Sequence, residues 1–472
     1  MSRSKSRRGL GLFMATALLV GSGCAQTADD GDGDDDVTEA SAVRALDPTF
    51  GLGGVSRVSM SPEADRFVSV ANGEDGQYYA AGFLTTTGDQ SMAVARFDEN
   101  GDLDTEFADK GYASVNVAVG GKTGERASSM GVLSDGSIVL AGPVEHDPAA
   151  AGDGARDTDI AAVKISDDGT QDMTFGDNGV ARFDLGTGRA VEDNFVGDTM
   201  FGLTVLEDDK ILIVGAKLHD GPDETDRDFA ILRLTEDGKA DTSFAEEGVF
   251  VMDIDDGNES PRQALELEDG SVVVSGYSGV GDGPISPVLF KLDDGGELVT
   301  DFGDEGIASA ELLPAVAEAY EVGLQGDSFI ITGYGRATEE EKVDMIAARF
   351  TSEGEWDEEF GEDGLVRIDI SGQDDRGRDL VVLENGNILI AGSGKPAETD
   401  INGMLVMLTE DGELDETFGR DGIYQVDLGG KTDSFFSIAL SEDESSAIVS
   451  GWMGPDAAAG GNEEGVIARI TL

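Results

Sequence analysis

The sequence has little of what most catalytic and disulfide-bonded proteins use. It has one cysteine among 472 residues, so no disulfide can form within the chain. Its two histidines, His146 and His219, form no paired-histidine zinc motif and complete no convincing serine, histidine and aspartate set. A nucleophile elbow and a phosphate-binding loop are also missing. We therefore assign no catalytic and no cofactor-binding residue from the sequence.

Positive charge is also scarce. Lysine and arginine total 32 against 97 for aspartate and glutamate, and the formal net charge is -65. This charge disfavours anionic partners, nucleic acid included. The acid excess with scarce lysine is typical of a surface adapted to high salt, which we prefer to a dedicated acidic binding surface. The length exceeds the needs of one hydrophobic core, so several domains or a repeat architecture are expected.

No apolar run is long enough to cross a bilayer, and the run nearest the N-terminus indicates export. Arg3, Lys5, Arg7 and Arg8 form a basic region, Leu10–Val20 are an apolar run, and small residues follow. In the sequence VGSGC, Cys24 occupies the position of the acylated residue in a bacterial lipobox. Gly21 departs from the usual branched aliphatic residue. We expect residues 1–23 to be a lipoprotein signal peptide, the alternative being an ordinary signal peptide cut near the same place.

The segment after the cysteine predicts a tether. Residues 24–45 contain few apolar side chains and many aspartates, so they cannot offset the entropy of ordering. Ala25 and Gln26 lack the aspartate that often marks inner-membrane retention, so an outer-membrane lipoprotein of the bacterial envelope is expected. SRRGL, Ser6–Leu10, resembles a twin-arginine export signal, and the alternative is general export with two adjacent arginines by chance.

From residue 46 to residue 472 the chain is repetitive. The phrase D-x-x-F-x-x-x-G recurs at spacings of 57, 68, 69, 58, 58 and 58 residues. Such periods indicate a repeat architecture. Its phenylalanines are Phe50, Phe107, Phe175, Phe244, Phe302, Phe360 and Phe418, and its glycines are Gly54, Gly111, Gly179, Gly248, Gly306, Gly364 and Gly422.

Each copy contains four short apolar stretches separated by Asp-Gly or Asn-Gly turns. In the third copy these are GVARFDL, FGLTVLEDD, KILIVGA and DFAILRL. Such runs are strands joined by tight hairpins, and only Leu312–Tyr320 approaches helical periodicity. Seven four-stranded antiparallel units predict an all-β fold, a seven-bladed β-propeller. An open β-solenoid is the alternative.

The repeat also carries a family resemblance. SDGSIVLAG and ENGNILIAG, followed by A-x-x-(R/K) and DGxLDxxFGxxG, resemble the delta-60 repeat, a propeller-type repeat of bacterial, often exported, proteins. Val299 and Met407 depart from the pattern. The resemblance implies a propeller and no catalytic motif. Since the chain ends before the phrase that it begins with, Val55–Met60 should join the last blade, Ser434–Leu472, and close the ring.

Two of the four connections in each repeat have a fixed length and two vary. Alternate connections of an up-and-down blade emerge on opposite faces, so one face, the variable face, carries the divergent loops and is the expected binding face. Its longest loops are Pro143–Asp159, Lys217–Asp228 and Gly186–Thr199. They contain both histidines, which are either metal ligands with nearby carboxylates or solvated loop residues. The metal ligands stay unassigned, and bound calcium is an open alternative.

Two repeated side chains have structural explanations. A basic residue near the end of the last strand of most copies is expected to form an ion pair within its blade rather than a ring of ligands. The repeated phenylalanine is expected to plug the space between blades rather than to stack a ligand.

These observations favour a non-catalytic, lipid-anchored propeller that binds a protein or polymer on its variable face. We expect a monomer that contacts the membrane only through its lipid. Two tryptophans and 6% aromatic residues weaken a quinone-cofactor propeller and a sugar-binding propeller with an aromatic floor. The alternative function is a surface hydrolase or lyase with carboxylates at the channel mouth.

Overall fold

The computed structural model describes residues 46–118, 124–146, 157–191, 194–219, 226–281, 283–397, 400–455 and 462–472. These residues belong to the unit Ala42–Leu472. The predicted signal peptide and tether, Cys24 included, lie outside them. So do residues 147–156 and 220–225 of two of the longest predicted loops, and residues 192–193 of the third. Within these ranges, no helix has the length and apolar character needed to cross a membrane.

The described chain is almost entirely β-strand. Its helical segments are two short 3-10 turns, Glu74–Gly76 and Phe107–Asp109. The stretch that most resembled a helix in sequence, Leu312–Tyr320, instead runs into a strand that spans Val316–Gln325. The predicted all-β class with four-stranded antiparallel sheets is therefore confirmed.

The strands of the first three sheets follow chain order. Strand β1 is Val55–Val58. Sheet 1 contains β2 (Asp65–Asn72), β3 (Tyr78–Thr86), β4 (Asp89–Phe97) and β5 (Tyr112–Val115). Sheet 2 contains β6 (Ser129–Val132), β7 (Ile138–Glu145), β8 (Thr158–Ile165) and β9 (Ala181–Phe183). A small hairpin, β10 (Arg189–Val191) and β11 (Asn194–Val196), precedes sheet 3, which contains β12 (Thr199–Val205), β13 (Ile211–Leu218), β14 (Arg227–Leu234) and β15 (Val249–Met252).

Sheets 4 and 5 are joined by one parallel bridge between Ile285 and Val316. Sheet 4 contains β16 (Asn258–Glu266), β17 (Val272–Gly279), β18 (Ile285–Leu292) and β19 (Ile307–Ser309). Sheet 5 contains β20 (Val316–Gln325), β21 (Ser328–Arg336), β22 (Asp344–Phe350) and β23 (Leu365–Ile368). Sheet 6 contains β24 (Arg376–Val382), β25 (Ile388–Ala397), β26 (Asp400–Leu408) and β27 (Ile423–Val426).

The last sheet combines strands from the two ends of the described chain. Sheet 7 contains β28 (Ser434–Leu440), β29 (Ser446–Met453) and β30 (Glu464–Thr471), and β1 completes it in the order β1-β30-β29-β28. The register is antiparallel, with Val55 opposite Ala468 and Val58 opposite Gly465. The edge of β30 is therefore covered by a strand from residues 55–58.

Each sheet is buried on both of its faces. The middle strands, such as ILIVGAKL in β13, are buried almost throughout. Strands covered on both faces read as continuous apolar runs instead of alternating ones. In the described residues, seven clusters of buried apolar side chains lie between successive sheets. One of them packs Ile448 and Ile467 of sheet 7 against Phe67 of sheet 1.

The repeated phenylalanines lie between sheets, as predicted. All seven are at most 2% exposed. A Cβ atom on Gly238, in the turn of sheet 3, would lie 2.7 Å from the ring of Phe175, which lies between β8 and β9 of sheet 2. Gly238 also has a positive φ of 77°. A glycine therefore suits this turn for two reasons, because it has no side chain to collide with the ring and because it adopts a positive φ without strain. The recurrent Asp-Gly turn thus closes over the ring contributed by the preceding repeat.

The repeated basic residues form ion pairs within the repeat instead of a ligand ring. Nε of Arg96 lies 2.8 Å from Oδ2 of Asp104, and its guanidinium carbon lies 4.9 Å from the centre of the Phe107 ring. The same arrangement recurs at Arg233–Asp241, Arg349–Asp357 and Arg469–Asp47. The predicted ion pair is confirmed at these positions.

Candidate functional site

A cavity of about 350 Å³ lies where the first strands of the seven described sheets meet. These first strands are β2, β6, β12, β16, β20, β24 and β28, each at one edge of its sheet. The volume lies within the range usual for small-ligand sites. The lining residues are Arg66, Val68, Ser69, Phe83, Arg126, Ser128, Ser129, Phe201, Arg262, Gln263, Tyr320, Glu321, Arg378, Asp379, Phe436, Ser437 and Trp452.

A repeated backbone irregularity directs side chains into the cavity. In six first strands the pairing with the second strand skips one residue, as it does between Pro261 and Gln263. Such a bulge interrupts the alternation of the strand and re-aims the extra side chain. The six skipped residues all line the cavity: Val68, Phe201, Arg262, Tyr320, Arg378 and Phe436.

Arg262 is held between aromatic rings. Its guanidinium carbon lies 4.1 Å from the ring centre of Phe201 and 4.2 Å from that of Tyr320. Its Nη2 donates to the hydroxyl of Tyr277 at 2.7 Å and to that of Tyr320 at 3.2 Å. Its buried Nε has no hydrogen-bond partner in the described structure. The Arg262 guanidinium thus makes cation–π contacts with aromatic rings in place of the usual ion pair with a carboxylate.

Two further arginines share this lack of an acidic partner. The guanidinium carbon of Arg378 lies 4.8 Å from the ring centre of Tyr320, and its Nε is buried without a partner. Withdrawal from bulk water and the nearby charge of Arg66 lower the pKa of Arg126. Among the described residues, none of Arg126, Arg262 and Arg378 forms a salt bridge with a carboxylate. These three guanidinium groups of the cavity therefore have no direct carboxylate partner.

Arg66 differs from these three because it is paired. It donates from Nε and Nη2 to the two carboxylate oxygens of Glu463, at 2.6 and 2.7 Å. Its guanidinium carbon also lies 4.3 Å from the ring centre of Trp452. The fork-shaped contact fixes Arg66 at the cavity wall and neutralises its charge.

Two carboxyl groups also face the cavity. Burial raises the pKa of Asp379 to about 6. Burial, followed by the nearby charge of Asp379, raises the pKa of Glu321 well above its ordinary value. Asp379 also has a structural role, because it accepts hydrogen bonds from the backbone N–H groups of Leu380 at 2.7 Å and Ile438 at 2.8 Å. These bonds satisfy donors that the bulges leave free and connect sheets 6 and 7.

Tyr320, which lines the cavity, belongs to a cluster of tyrosines. The hydroxyl oxygens of Tyr320 and Tyr334 are 3.0 Å apart. Burial raises the pKa of Tyr277 to about 12 and raises that of Tyr334 further. These phenols are therefore neutral at physiological pH and can donate hydrogen bonds.

The two histidines lie outside the cavity lining. Nδ1 of His146 is 2.8 Å from Oδ1 of Asp159, and Nδ1 of His219 is 2.7 Å from Oδ1 of Asp228. Hydrogen bonds to these carboxylates raise the pKa of each imidazole. Each histidine thus belongs to a carboxylate cluster of its own sheet, and the two do not share a cluster in the described structure.

Sequence reasoning missed the arginine and aromatic lining. A usable signal was present, since an aromatic residue follows the repeated glycine of the second strand in four copies: Phe83, Tyr277, Tyr334 and Trp452. The ring centre of Trp452 lies 4.3 Å from the guanidinium carbon of Arg66, and that of Tyr277 lies 4.9 Å from the guanidinium carbon of Arg262. Phe83 and Trp452 line the cavity directly.

Comparisons with known proteins support the fold. A family model described as a domain of unknown function (DUF5122) beta-propeller matches residues 74–107 and 206–244. This match supports a β-propeller family for the chain. A search of curated proteins finds no match.

Solved structures of several kinds resemble the chain at low identity. A protein of unknown function from Dyadobacter fermentans is 11% identical with a TM-score of 0.42, over 89% of this chain and 99% of that one. An ulvan lyase of polysaccharide lyase family PL25 is 12% identical with a TM-score of 0.44, over 90% and 94%. The polysaccharide lyase Uly1 is 12% identical with a TM-score of 0.44, over 92% and 94%. At these values the likenesses carry no inference about function.

Proposed function

We propose that the chain is a non-catalytic binding module whose cavity receives an anionic ligand that also has an apolar face. The observation that carries the proposal is the set of three cavity arginines, Arg126, Arg262 and Arg378, without acidic partners in the described structure. The chain has 97 acidic residues and 32 basic ones, so unpaired guanidinium groups would find partners unless the fold kept them apart. A guanidinium fork matches carboxylate, sulfate and phosphate groups.

The aromatic lining narrows the ligand. Phe201, Phe436 and Trp452 line the cavity beside the arginines, and the ring centres of Phe436 and Trp452 are 4.3 Å apart. Aromatic side chains of this kind contact the apolar face of a sugar ring or of an aromatic acid. We propose a carboxylated or sulfated oligosaccharide, with a small aromatic acid as the other source of the same chemistry. The net charge of -65 still opposes long polyanions such as nucleic acid, so a short ligand or a chain end fits best.

We further propose that the repeats form a seven-bladed propeller whose ring is closed by β1. Pairing of Val55–Val58 with β30 supports closure, and so does the packing of sheet 7 against sheet 1. Convergence of the seven first strands on one cavity is the arrangement that a central channel requires.

The proposed anchor is a lipid on Cys24, which attaches the protein to the bacterial outer membrane. Residues 24–45 form the tether between this lipid and the propeller, and the propeller is a monomer. The lipobox-like VGSGC supports it. Metabolic labelling with a palmitate analogue should mark the protein, and the Cys24→Ala variant should lose both the label and membrane association. Equal labelling of the variant would refute the anchor.

Calorimetric titration of the full-length protein in detergent tests the binding function. The probes are oligogalacturonate, its neutral methyl ester and benzoate. We expect at least one of the acidic probes to bind. The affinity of the neutral ester should be lower by a factor of about ten or more, because one charge-assisted hydrogen bond contributes about 1.5–3 kcal/mol. Arg126→Gln and Arg378→Gln should each weaken binding by a similar factor.

The matched control is Arg420→Gln, which removes an exposed arginine that lies outside the cavity lining. Its affinity for the acidic probe should equal that of the parent protein. Equal binding of acid and ester, or unchanged binding in both cavity variants, would overturn the proposal.

A second function, a hydrolase or lyase, rests on the cavity carboxyls. The pKa of Asp379, raised to about 6, suits a group that exchanges protons near neutral pH. A turnover screen with acidic polysaccharides separates the two functions. Turnover that is lost in Asp379→Asn and Glu321→Gln, with ligand binding retained, would replace the non-catalytic proposal.

A further inference from the structure

A group of carboxylates lies where the connections of variable length leave sheet 3. Asp228 lies in β14, Asp253 directly follows β15, and Glu259 lies in β16. One carboxylate oxygen of each lies within 4.8 Å of those of the other two. None of the three lines the cavity. Oxygen donors that converge in this way suit a hard divalent cation such as calcium.

Glu259 shows that this group is incomplete. The residue is 1% exposed. Its Oε1 accepts a hydrogen bond from the hydroxyl of Ser278 at 2.8 Å, whereas its buried Oε2 has no hydrogen-bond partner in the described structure. A buried carboxylate oxygen without a partner is costly, and a bound cation would satisfy it.

An equivalent group of carboxylates at sheets 5 and 6 shows which positively charged and hydrogen-bonding partners the first group lacks. Asp344, Asp369 and Asp375 stand at the same places relative to the strands and also lie within 4.8 Å of one another. There, Nε of Arg367 donates to Asp344. Backbone N–H groups donate to both oxygens of Asp375, at 2.9 and 3.1 Å. This second group is thus compensated by an arginine and by the backbone.

Sheet 3 has no arginine at the corresponding position. Arg367 lies opposite Ile346 in sheet 5, two residues beyond Asp344. In sheet 3 the residue two beyond Asp228 is Ala230, and it lies opposite Val251. Val251 is 44% exposed, so an apolar side chain faces water where the equivalent group has its cation.

Other charged groups near the three carboxylates do not remove the excess of negative charge. Nδ1 of His219 is 2.7 Å from Oδ1 of Asp228, and Lys217 is the cross-strand neighbour of Asp228. Asp226 and Asp256 add further carboxylates beside His219.

We propose that Asp228, Asp253 and Glu259 bind a divalent cation of the calcium class, which takes the role that Arg367 has in the equivalent group. The proposal is independent of the anion-binding function, because it concerns other residues and another ligand.

Calcium titration of the full-length protein in detergent tests this site. Chelator-treated protein is titrated with calcium chloride at constant ionic strength, and heat and melting temperature are recorded. Val251→Arg supplies an internal cation, and Asp253→Asn removes an exposed ligand. We expect each variant to bind one equivalent less than the parent, or to bind it at least about tenfold more weakly. Val251→Arg should also melt higher than the parent in chelator.

Asp369→Asn is the matched control, because it changes the equivalent carboxylate beside Arg367. It should bind calcium as the parent does. Melting temperatures in chelator show whether each variant is folded before titration. No calcium uptake by the parent, or full uptake by both sheet 3 variants, would overturn the site. Uptake of zinc alone, lost in His219→Gln, would overturn the calcium assignment.

Discussion

Arg66 and Glu463 form a two-bond ion pair, at 2.6 and 2.7 Å, although 397 positions of sequence separate them. Arg66 lies in the first strand of sheet 1, and Glu463 directly precedes β30 of sheet 7. The pair therefore joins the first sheet to the last and withholds the charge of Arg66 from the cavity. It links the architecture of the chain to the electrostatics of its candidate site.

Replacing Glu463 with glutamine should separate these two roles. Because the pair is partly exposed, its loss should reduce the free energy of unfolding by about 1 kcal/mol or less. The freed guanidinium should strengthen binding of the acidic probe severalfold. Thermal melting and calorimetry measure the two effects, and the double variant Arg66→Gln/Glu463→Gln provides the control that removes both charges from the contact. Unchanged anion affinity in Glu463→Gln would contradict the role assigned to the pair.

Deleting residues 46–60 should destabilise sheet 7. The deletion removes β1, which covers β30, and Phe50, Val58 and Met60, which pack in the cluster shared by sheets 7 and 1. Amide exchange in β28–β30 should become faster, because the unpaired edge and the opened core make local unfolding easier. Sheet 4 serves as the internal control, since it does not contact β1. Equal protection of β28–β30 with and without these residues would show that β1 contributes nothing to the sheet.

The repeat predicted strand number and order well because its signals are local and periodic. The repeats keep a phenylalanine equivalent to Phe175 and a glycine equivalent to Gly238. The phenylalanine fills the space between sheets, and the glycine allows a turn to close over its ring. The strand that follows the N-terminal phrase, β1, lies beside β30 in the structure.

The cavity could not be predicted in the same way. Arg66, Arg126 and Arg376 share one position of the first strand, whereas Arg262 and Arg378 share another, and the remaining copies have other residues there. Bulges then shift which side chain faces the centre, so alternation along the strand no longer identifies the lining. Net charge averages over the whole surface, whereas a few guanidinium groups set the local potential of the cavity.

Phe175→Ala should be among the most destabilising single changes in the chain. The ring is 0% exposed and packs beneath Gly238, so truncation leaves a cavity between sheets 2 and 3. Such truncations cost about 3–5 kcal/mol. Met173, two residues earlier, is 59% exposed, and Met173→Ala should stay within about 0.5 kcal/mol of the parent. Denaturant unfolding measures both variants. Equal losses would refute the packing role of the ring.

The buried acid at the start of β12 should make stability depend on pH. Burial raises the pKa of Asp198 from 3.8 to about 7, and its Oδ1 has no hydrogen-bond partner in the described structure. The folded state therefore binds this proton more tightly than the unfolded state, and the free energy of unfolding falls as pH rises from about 4 to about 7. Each unit of the shift corresponds to about 1.4 kcal/mol, so the loss reaches at most about 4 kcal/mol.

Asp198→Asn keeps the shape of the neutral acid and should abolish this dependence. The variant should match the parent near pH 4 and exceed its stability by a few kcal/mol near pH 8, as measured by denaturant unfolding at fixed ionic strength. Asp421→Asn removes the same charge from an exposed turn and controls for the effect of net charge. A difference between Asp198→Asn and the parent that does not grow with pH would show that Asp198 is ionised in the folded protein without cost.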